Sequence, residues 1–303
     1  MLDLLVRNTP RNKPQLWDRP LRAAFRRLSY LAAPVLVPGW LDRPRVVALA
    51  QPGLRMEIVP RDAIGRALFL YGVFEIRETR FVRAALRLGS VFVDVGANAG
   101  YYSVLASRHV GEAGAVVAFE PSPAIRARLE RNVQMNELGN VSVRPHAVSS
   151  RHGHAPFYES ADPGNSGIAS LRSGAGRAAT PCEVATTTLD DVAAGLARRI
   201  DLVKIDVEGA ELDVVAGGAR TLGRPDAPII VFESFGRAAR EMFDALRDFG
   251  YHVRTLCLDP GRGLRFDPDP EARDAFSPYE APSFVATKKE EVFGDLVRGH
   301  AGS

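Results

Sequence analysis

The chain has 303 residues, of which 46% are hydrophobic and 25% charged, a composition typical of a globular protein and not of a disordered one. This length suits one large α/β domain or a domain with an appendage. The net charge is only +3, and residues 1–50 hold nine Lys or Arg against three Asp, which leaves the remainder slightly acidic. We therefore expect no nucleic-acid partner.

The cysteine content and the N-terminus bear on the compartment. Cys182 and Cys257 are too few and too isolated for a disulfide framework or a zinc site. The first residues, MLDLLVR, are too short an apolar run for a secretion signal. Both features indicate a reducing compartment, so we expect the protein in the cytoplasm.

Residues 1–75 are rich in Pro and Arg at their start and are expected to form an N-terminal extension or cap. A helix is expected near Leu21–Tyr30, with arginines beside apolar residues. Two interpretations stay open for residues 20–40: peripheral membrane contact, or a docking helix with a solvated basic face. The apolar run Leu31–Trp40 contains two prolines and cannot span a bilayer.

The most informative segment is Val91–Gly100, with the sequence VFVDVGANAG. Its first half is typical of a buried strand, and a glycine-bracketed turn then leads into a helix from Tyr101. This geometry brings backbone N–H groups and a helix N-terminus against a ligand. A second apolar run, Ala115–Phe119, ends at Glu120, a carboxylate placed to accept both hydroxyls of a ribose. A nucleoside is therefore expected here.

The details of this turn argue against a dinucleotide. A pyrophosphate cradle needs G-x-G-x-x-G, whereas this chain has G-x-N-x-G with Asn98 in the middle. Asp94 would repel a pyrophosphate but suits a ligand with an ammonium group. S-adenosylmethionine, a nucleoside joined to an amino acid, satisfies both ends; the alternative is a structural βαβ turn with a solvated Glu120. The expected donor contacts are Asp94, Gly96, Asn98, Gly100, Tyr102, Glu120, Pro121 and Asp206.

From Val91 onward, strands and helices alternate, which predicts a doubly wound, mostly parallel α/β sheet with helices on both faces. Residues 150–180 break this rhythm with many Gly and Ser, and we expect them to close over the substrate. The α/β domain that contains this sheet is expected to cover residues 76–290, and residues 291–303 are expected to form a C-terminal tail. Further strands are predicted at 141–144, 182–188, 201–209 (with its loop), 229–233, 251–258 and 283–287, the last two joined by a loop at 259–282.

Five polar residues each follow an apolar run of this pattern. Because ligands lie at the carboxyl ends of parallel strands, these residues are expected to converge on one rim of the sheet. They are Asp94, Glu120, His146, Asp206 and Glu233.

Six motifs follow one another over roughly residues 75–255: DVGANAGYYS (94–103), FEPSP (119–123), HAVS (146–149), NSGIASL (165–171), TTLDD (187–191) and DLVKIDVEGAELDVVAGG (201–218). In these motifs and their order the chain resembles the FkbM-type family of S-adenosylmethionine-dependent methyltransferases. The resemblance implies the class I methyltransferase fold, Rossmann-like with a seven-stranded sheet. It also implies S-adenosylmethionine as donor and usually O-methylation of a hydroxyl on a small molecule, natural product or sugar.

A hydroxyl is a poor nucleophile and needs its proton removed as it attacks the methyl group. Asp206 and Glu208, after the strand at 201–205, are the candidate catalytic bases. Together with Glu233 they also offer the oxygen ligands that a divalent cation such as Mg²⁺ prefers, so a metal site stays an open alternative. A further alternative is that Asp206 caps the helix near Ala210 and Glu208 stabilises its positive end.

The remaining candidates have less specific signals. Ala147 and Val148 are expected to offer a backbone donor and an apolar face to adenine. Asn132 and Asn136 are interpreted as surface or capping residues. Lys204 alternates with Asp206 on one strand face and is expected to pair with an acid at the rim, with a catalytic role as the alternative. The candidate contacts with a small-molecule or glycan acceptor are His146, Asn165, Ser166, Ser170, Lys204 and Glu233.

Two other functions stay open. One is methyl transfer to nitrogen or to a protein side chain. The other is a non-catalytic S-adenosylmethionine-binding module that attaches to a membrane or partner through residues 1–50. The acidic residues after the strand at 201–205 favour catalysis, and no motif identifies the acceptor or an oligomeric state.

Overall fold

The computed structural model describes residues 27–28, 30–32, 37, 39–161, 169–173, 181–234, 236–259, 263–269 and 282–298. Asn165, Ser166, most of segment 20–40 and most of loop 259–282 lie outside these residues, so the predictions made for them stay predictions. None of the helices within the described ranges has the length and apolarity that a bilayer crossing requires.

The N-terminal part packs as a cap on the rest of the chain. The Asp62 carboxylate begins the first α-helix by accepting a hydrogen bond from the backbone N–H of Ile64 at 3.2 Å. Gly72, in the left-handed conformation, ends that helix. In chain order the cap contains a 3₁₀ helix (Trp40–Asp42), the antiparallel strands β1 (Arg45–Ala48) and β2 (Arg55–Ile58), and the helices α1 (Ala63–Tyr71) and α2 (Ile76–Ala85).

The later strands and helices alternate as the sequence predicts. The strands are β3 (Val91–Val95), β4 (Ala115–Phe119), β5 (Val141–Arg144), β6 (Ala147–Val148), β7 (Gly153–Phe157), β8 (Cys182–Thr187), β9 (Leu202–Ile205), β10 (Ile229–Glu233), β11 (His252–Asp259), β12 (Gly263–Asp267) and β13 (Ser283–Thr287). The helices are α3 (Tyr101–Val110), α4 (Pro123–Met135), α5 (Leu189–Ala194), α6 (Glu211–Ala216), α7 (Ala219–Gly223), α8 (Gly236–Asp248) and α9 (Glu291–Arg298).

Within the described residues, the main sheet has eight strands in the order β12-β11-β13-β10-β9-β3-β4-β5. The strands from β10 to β5 are parallel, and those from β12 to β10 are antiparallel. The doubly wound, Rossmann-like architecture is confirmed, but the expected count of seven strands is wrong. The extra strand, β12, lies in the loop predicted at 259–282, where Leu264 is buried and Gly263 has a φ of +90°. Strands β6, β8 and β7 form a separate small sheet.

Side chains of the main sheet alternate between two cores, as the two-residue period of a strand requires. Phe92, Leu202 and Val231 pack with the cap and with α3, on what we call the cap face. Their strand neighbours pack on the opposite face against α5, α6 and α8. One residue pair in the register is Asp94 with Lys204, which lie opposite each other on β3 and β9. Asp94 lies two residues after Phe92, and Lys204 lies two residues after Leu202, so both side chains are on the cap face.

Two buried amides fix the cap to the main domain. The Asn132 Oδ1 atom accepts a hydrogen bond from the Glu57 backbone N–H at 2.6 Å, and Asn136 Oδ1 accepts one from Arg55 N–H at 2.9 Å. Their Nδ2 atoms donate back to the carbonyls of the same two residues of β2, at 3.3 and 2.7 Å. Neither amide is therefore at the surface, because their helix α4 packs this face against the edge of β2. The interpretation as a capping residue is confirmed for Asn136, which is the C-cap of α4, and is wrong for Asn132.

The segment expected as a C-terminal tail, 291–303, contains the packed helix α9. Its Phe293 and Leu296 side chains are buried in the core of the cap face. These two residues lie three apart, which places both on one side of a helix. The part of the tail that the structure describes is thus integrated into the fold.

Candidate functional site

A cavity opens at the carboxyl ends of β3, β4, β9 and β10, where the cap meets the parallel sheet. Four of the five rim residues predicted from the sequence line it; Asp94 does not. The side chains and backbone that line the cavity include Glu75, Gly96, Asn98, Glu120, Pro121, His146, Ala147, Val148, Ser170, Asp206, Glu208 and Glu233. Of the other predicted contacts, Gly100, Tyr102 and Lys204 lie behind this lining, and Asn165 and Ser166 are outside the described residues.

Three residues of the turn after β3 have left-handed backbone angles, which glycine adopts easily and asparagine more readily than most other residues. Gly96, Asn98 and Gly100 have φ angles of +81°, +48° and +89°. A Cβ atom on Gly96 would lie 1.9 Å from the backbone oxygen of Asp206, so the glycine lets the loops after β3 and β9 approach closely. A Cβ on Gly100 would meet the Leu129 side chain at 2.2 Å. The two glycines thus serve close packing around the cavity.

Glu120 is 5% exposed and is held at the end of β4 by two backbone donors. Its Oε2 atom accepts a hydrogen bond from Asn98 N–H at 3.0 Å, and Oε1 accepts one from Ser122 N–H at 2.9 Å. Burial raises the pKa of Glu120 to about 7, against these hydrogen bonds, which lower it. Each carboxylate oxygen retains a second lone pair for a ligand hydroxyl.

The cavity wall next to Glu120 is mostly apolar. Ala147 and Val148 of β6 line it and are buried, as is Phe157 of β7. His146 also lines this part, and burial, together with the nearby His152 and Arg144, lowers its pKa. Such a wall provides the flat apolar surface that a purine base needs.

The insertion at 150–180 reaches the cavity where the structure describes it. Ala169, Ser170 and Leu171 line the cavity. The Ser170 hydroxyl donates to the Val207 carbonyl at 2.8 Å, and its backbone exchanges two hydrogen bonds with Tyr158. This part of the insertion is therefore tied to the loop after β9.

Opposite Glu120, a charged cluster surrounds one buried lysine. Lys204 is 3% exposed, and its Nζ atom lies 2.7 Å from Asp206 Oδ2 and 4.7 Å from the centre of the Tyr102 ring. Burial alone would lower the pKa of Lys204, but Asp206, Glu75, Asp94 and Glu233 outweigh it and raise the pKa. Lys204 is thus a permanent cation, and the rim acid with which it pairs is Asp206.

Asp94 belongs to this cluster and lies behind the cavity wall. It is 1% exposed, and its Oδ2 atom accepts a hydrogen bond from the Ser103 hydroxyl at 2.6 Å. Oδ1 is buried without a hydrogen-bond partner among the described residues. Burial raises the pKa of Asp94, and the nearby Lys204 opposes that rise.

Sequence reasoning missed Glu75, which lines the cavity from the N-terminus of α2. Its Oε2 atom accepts a hydrogen bond from the Tyr102 hydroxyl at 2.7 Å. Burial raises the pKa of Glu75 to about 8 and, with help from Glu75, raises that of Glu233 well above its usual range. The sequence did contain a signal for Glu75. Glu75 and the buried Glu78 are three residues apart, which places two acids on one side of a helix whose other residues are mostly buried.

The fold bears on two alternatives for Asp206 and Glu208. Helix α6 has Ala210 as its N-cap with no side-chain capping bond, so Asp206 does not cap it. Among the described residues, no three His, Cys, Asp or Glu side chains are grouped as a metal site, so a divalent cation at Asp206, Glu208 and Glu233 finds no support in the fold. Glu208 lines the cavity with a φ of +53°.

A model of the methyltransferase FkbM domain matches residues 94–253. The chain is 34% identical over 154 residues to "Methyltransferase sdnD" of Sordaria araneosa, which covers 41% of this chain and 59% of that protein. It is 36% identical over 118 residues to "2-O-methyltransferase NoeI" of Sinorhizobium fredii, which covers 34% of this chain and 47% of that protein. The chain thus spans about half the length of these two curated relatives.

Two solved structures are similar at low identity. An FkbM methyltransferase from Methylobacillus flagellatus is 13% identical, with a TM-score of 0.43 and coverage of 68% of this chain and 48% of that one. A precorrin-6y C5,15-methyltransferase from Geobacter metallireducens is 15% identical, with a TM-score of 0.42 and coverage of 70% and 88%. The domain match extends over more than half of the chain, and the chain therefore belongs to the FkbM methyltransferase family.

Proposed function

We propose that this protein is an S-adenosylmethionine-dependent methyltransferase that methylates a hydroxyl of a small molecule, natural product or sugar. One observation carries the proposal: a single cavity has a backbone-held acid, Glu120, at one end and a cluster of carboxyl groups at the other. The family supports methyl transfer, and the relative named as a 2-O-methyltransferase supports oxygen as the acceptor atom.

The residues at the Glu120 end fit the donor. The Glu120 carboxylate accepts hydrogen bonds from ribose hydroxyls, and the apolar wall with Ala147 and Val148 contacts adenine. The turn at Gly96 and Asn98 brings backbone close to the ligand. When bound, S-adenosylmethionine supplies a methyl group already activated on a sulfonium.

The carboxyl groups at the other end suit the acceptor. An acceptor hydroxyl must be aligned with the methyl group and must lose its proton as it attacks. Asp206, Glu208, Glu75 and Glu233 all line this end of the cavity. They accept hydrogen bonds from a polyhydroxylated acceptor and offer an acceptor for the proton. We place the reaction in the cytoplasm, because Cys182 and Cys257 form no disulfide bond.

The proposal is tested by incubating the protein with S-adenosylmethionine labelled on the methyl group, together with small-molecule and cell-envelope fractions of the host. We expect label in one fraction, in a bond that resists the base treatment that cleaves methyl esters. The Glu120→Ala variant should label that fraction more slowly at limiting donor. Label in no fraction, or only in protein or nucleic acid, would contradict O-methylation of a small molecule or glycan.

A further inference from the structure

The carboxyl groups at the acceptor end are not equivalent. The Oδ2 atom of Asp206 is 2.7 Å from the ammonium of Lys204, so an ion pair already occupies this oxygen. Among the described residues, Glu75 has no cation at hydrogen-bond distance; its Oε2 atom accepts from the neutral Tyr102 hydroxyl at 2.7 Å. That bond fixes one oxygen and leaves Oε1 as the atom with which the carboxylate meets a ligand in the cavity.

The backbone holds Glu75 in this position. Its φ and ψ are +41° and +76°, a left-handed conformation that is rare for a residue with a Cβ. The first turn of α2 locks this geometry, because Thr79 N–H donates to the Glu75 carbonyl at 2.8 Å. The Thr79 hydroxyl also donates to the Phe74 carbonyl at 2.6 Å. The side chain of Glu75 is thereby directed from the cap into the cavity.

We propose that Glu75 is the general base of the reaction, accepting the proton of the acceptor hydroxyl, and that Tyr102 is its positioning residue. This assignment rests on the proposed function. The acceptor oxygen forms a C–O bond with the methyl carbon while the C–S bond breaks and its electron pair stays on sulfur. The hydroxyl proton passes to Glu75, so the products are a methyl ether, the uncharged thioether and a protonated carboxyl group that later returns its proton to solvent.

The electrostatic surroundings suit this role. Burial raises the pKa of Glu75 to about 8, so the group titrates near neutral pH, where a base is most effective. Around it, Lys204 and the Tyr102 hydroxyl lower the pKa, whereas Glu78 and Asp206 raise it. Glu75 also lies outside the matched domain at 94–253, so the base is supplied by the cap of this chain.

The test compares Glu75→Gln with Glu112→Gln, a matched change of an exposed glutamate that does not line the cavity. The methyl acceptor in this assay is the host fraction to which the wild-type protein transfers the labelled methyl group. We expect Glu75→Gln to lower turnover on the order of a hundredfold or more with binding of S-adenosylhomocysteine changed by less than about threefold. Glu112→Gln should behave like wild type. Turnover of Glu75→Gln within about threefold of wild type would overturn the assignment.

The pH profile separates a base from a structural residue. For wild type, kcat/KM should fall as pH drops through about 8, because the protonated carboxyl group no longer accepts a proton. Tyr102→Phe removes a hydrogen bond that favours the charged form, so its profile should move to higher pH and its activity should recover there. A Tyr102→Phe profile at the wild-type position would contradict the positioning role.

A measurement that needs no methyl acceptor tests the role of Glu75 separately from the proposed function. In protein labelled with carbon-13 at glutamate carboxyl groups, NMR should show a resonance that titrates near pH 8 and is absent from Glu75→Gln. If no such resonance exists, the inference fails even though methyl transfer stands. If the resonance exists but wild type labels no fraction, the proposed function fails instead.

Discussion

The two ends of the cavity hold their carboxyl groups in different ways. At the donor end, Glu120 is fixed by two uncharged backbone donors, Asn98 N–H and Ser122 N–H. At the acceptor end, Glu75, Asp206 and Glu233 gather around the single ammonium of Lys204. The Glu120 carboxylate is therefore held by backbone N–H groups, with the Arg126 guanidinium donating to the Glu120 and Pro121 carbonyls, whereas the acceptor end balances several carboxylates against one buried ammonium.

This difference has a consequence for robustness. The donor end is built from adjacent loops after β3 and β4, so its geometry depends on a few backbone angles. The acceptor end joins α2 of the cap, α3, β9 and β10, so its geometry depends on charge compensation across four elements. Substitutions should therefore damage the donor end by altering backbone shape and the acceptor end by unbalancing charge.

The largest effect is expected from Lys204→Met, which keeps the length of the side chain but removes the cation. The acids it leaves unpaired, above all the buried Asp94 and the half-buried Asp206, should lower the free energy of unfolding by about 3–5 kcal/mol. Urea unfolding measures this change. The exposed Lys289 provides a matched control, since Lys289→Met should change stability by less than about 0.5 kcal/mol. A loss below about 1 kcal/mol for Lys204→Met would show that the cluster does not depend on this charge.

At the donor end, Gly96→Ala should lower the free energy of unfolding by about 3 kcal/mol. The new Cβ would lie 1.9 Å from the Asp206 backbone oxygen, at a φ of +81° that alanine rarely adopts. Gly139→Ala is the control, because a Cβ there meets nothing within 4 Å and no positive φ is involved. Equal stability of the two variants in urea would mean that the loops after β3 and β9 are free to separate.

Loss of the Glu120 carboxylate should act on binding. Glu120→Ala removes the acid that we assign to the ribose, and binding of S-adenosylhomocysteine should weaken by about 1–3 kcal/mol. Isothermal titration calorimetry gives the difference, with Glu112→Ala as the control at an exposed glutamate. Unchanged affinity in Glu120→Ala would place the ribose elsewhere.

The smallest expected effect is on the pH dependence of stability. The pKa of Glu120 rises from 4.5 to about 7 and that of Glu75 from 4.5 to about 8, because burial disfavours their charged forms. The folded protein then binds these protons more tightly than the unfolded chain, so their stabilising contribution is complete below pH 4.5 and is lost as pH rises through 7 and 8. In thermal unfolding measured over a series of pH values, wild type should lose stability as pH rises to about 7, and Glu120→Gln should reduce this loss. A slope identical to that of wild type would rule out a raised pKa at Glu120.

The difference between the donor and acceptor ends also explains which site residues could be predicted from the sequence. The strand, turn and helix around Gly96, together with Glu120, form one contiguous segment, so residue spacing alone predicted Asn98 and Glu120 at the ligand. A pair between Lys204 and an acid at the rim was likewise predicted, but the sequence did not identify Asp206 as that acid. Glu75 could not be placed in this way, since its position depends on how the cap packs on the sheet.

Other misses have the same origin in tertiary packing. Asn132 and Asn136 look like helix-surface residues until β2 packs against α4 and takes up their amide groups. The strand β12 was hidden in a stretch rich in Pro and Asp, and only its pairing with β11 defines it. Tyr102 was assigned to the donor from its place in the motif, whereas in the fold its hydroxyl is directed to Glu75.

The central claim is that the cavity between Glu120 and the acidic cluster is a donor site for S-adenosylmethionine. Isothermal titration calorimetry with S-adenosylhomocysteine and, separately, with a nicotinamide dinucleotide tests it most directly. We predict saturable binding of S-adenosylhomocysteine and none of the dinucleotide, because Asn98 lies in the cavity where a pyrophosphate cradle needs glycine. Saturable binding of the dinucleotide without binding of S-adenosylhomocysteine would contradict the account.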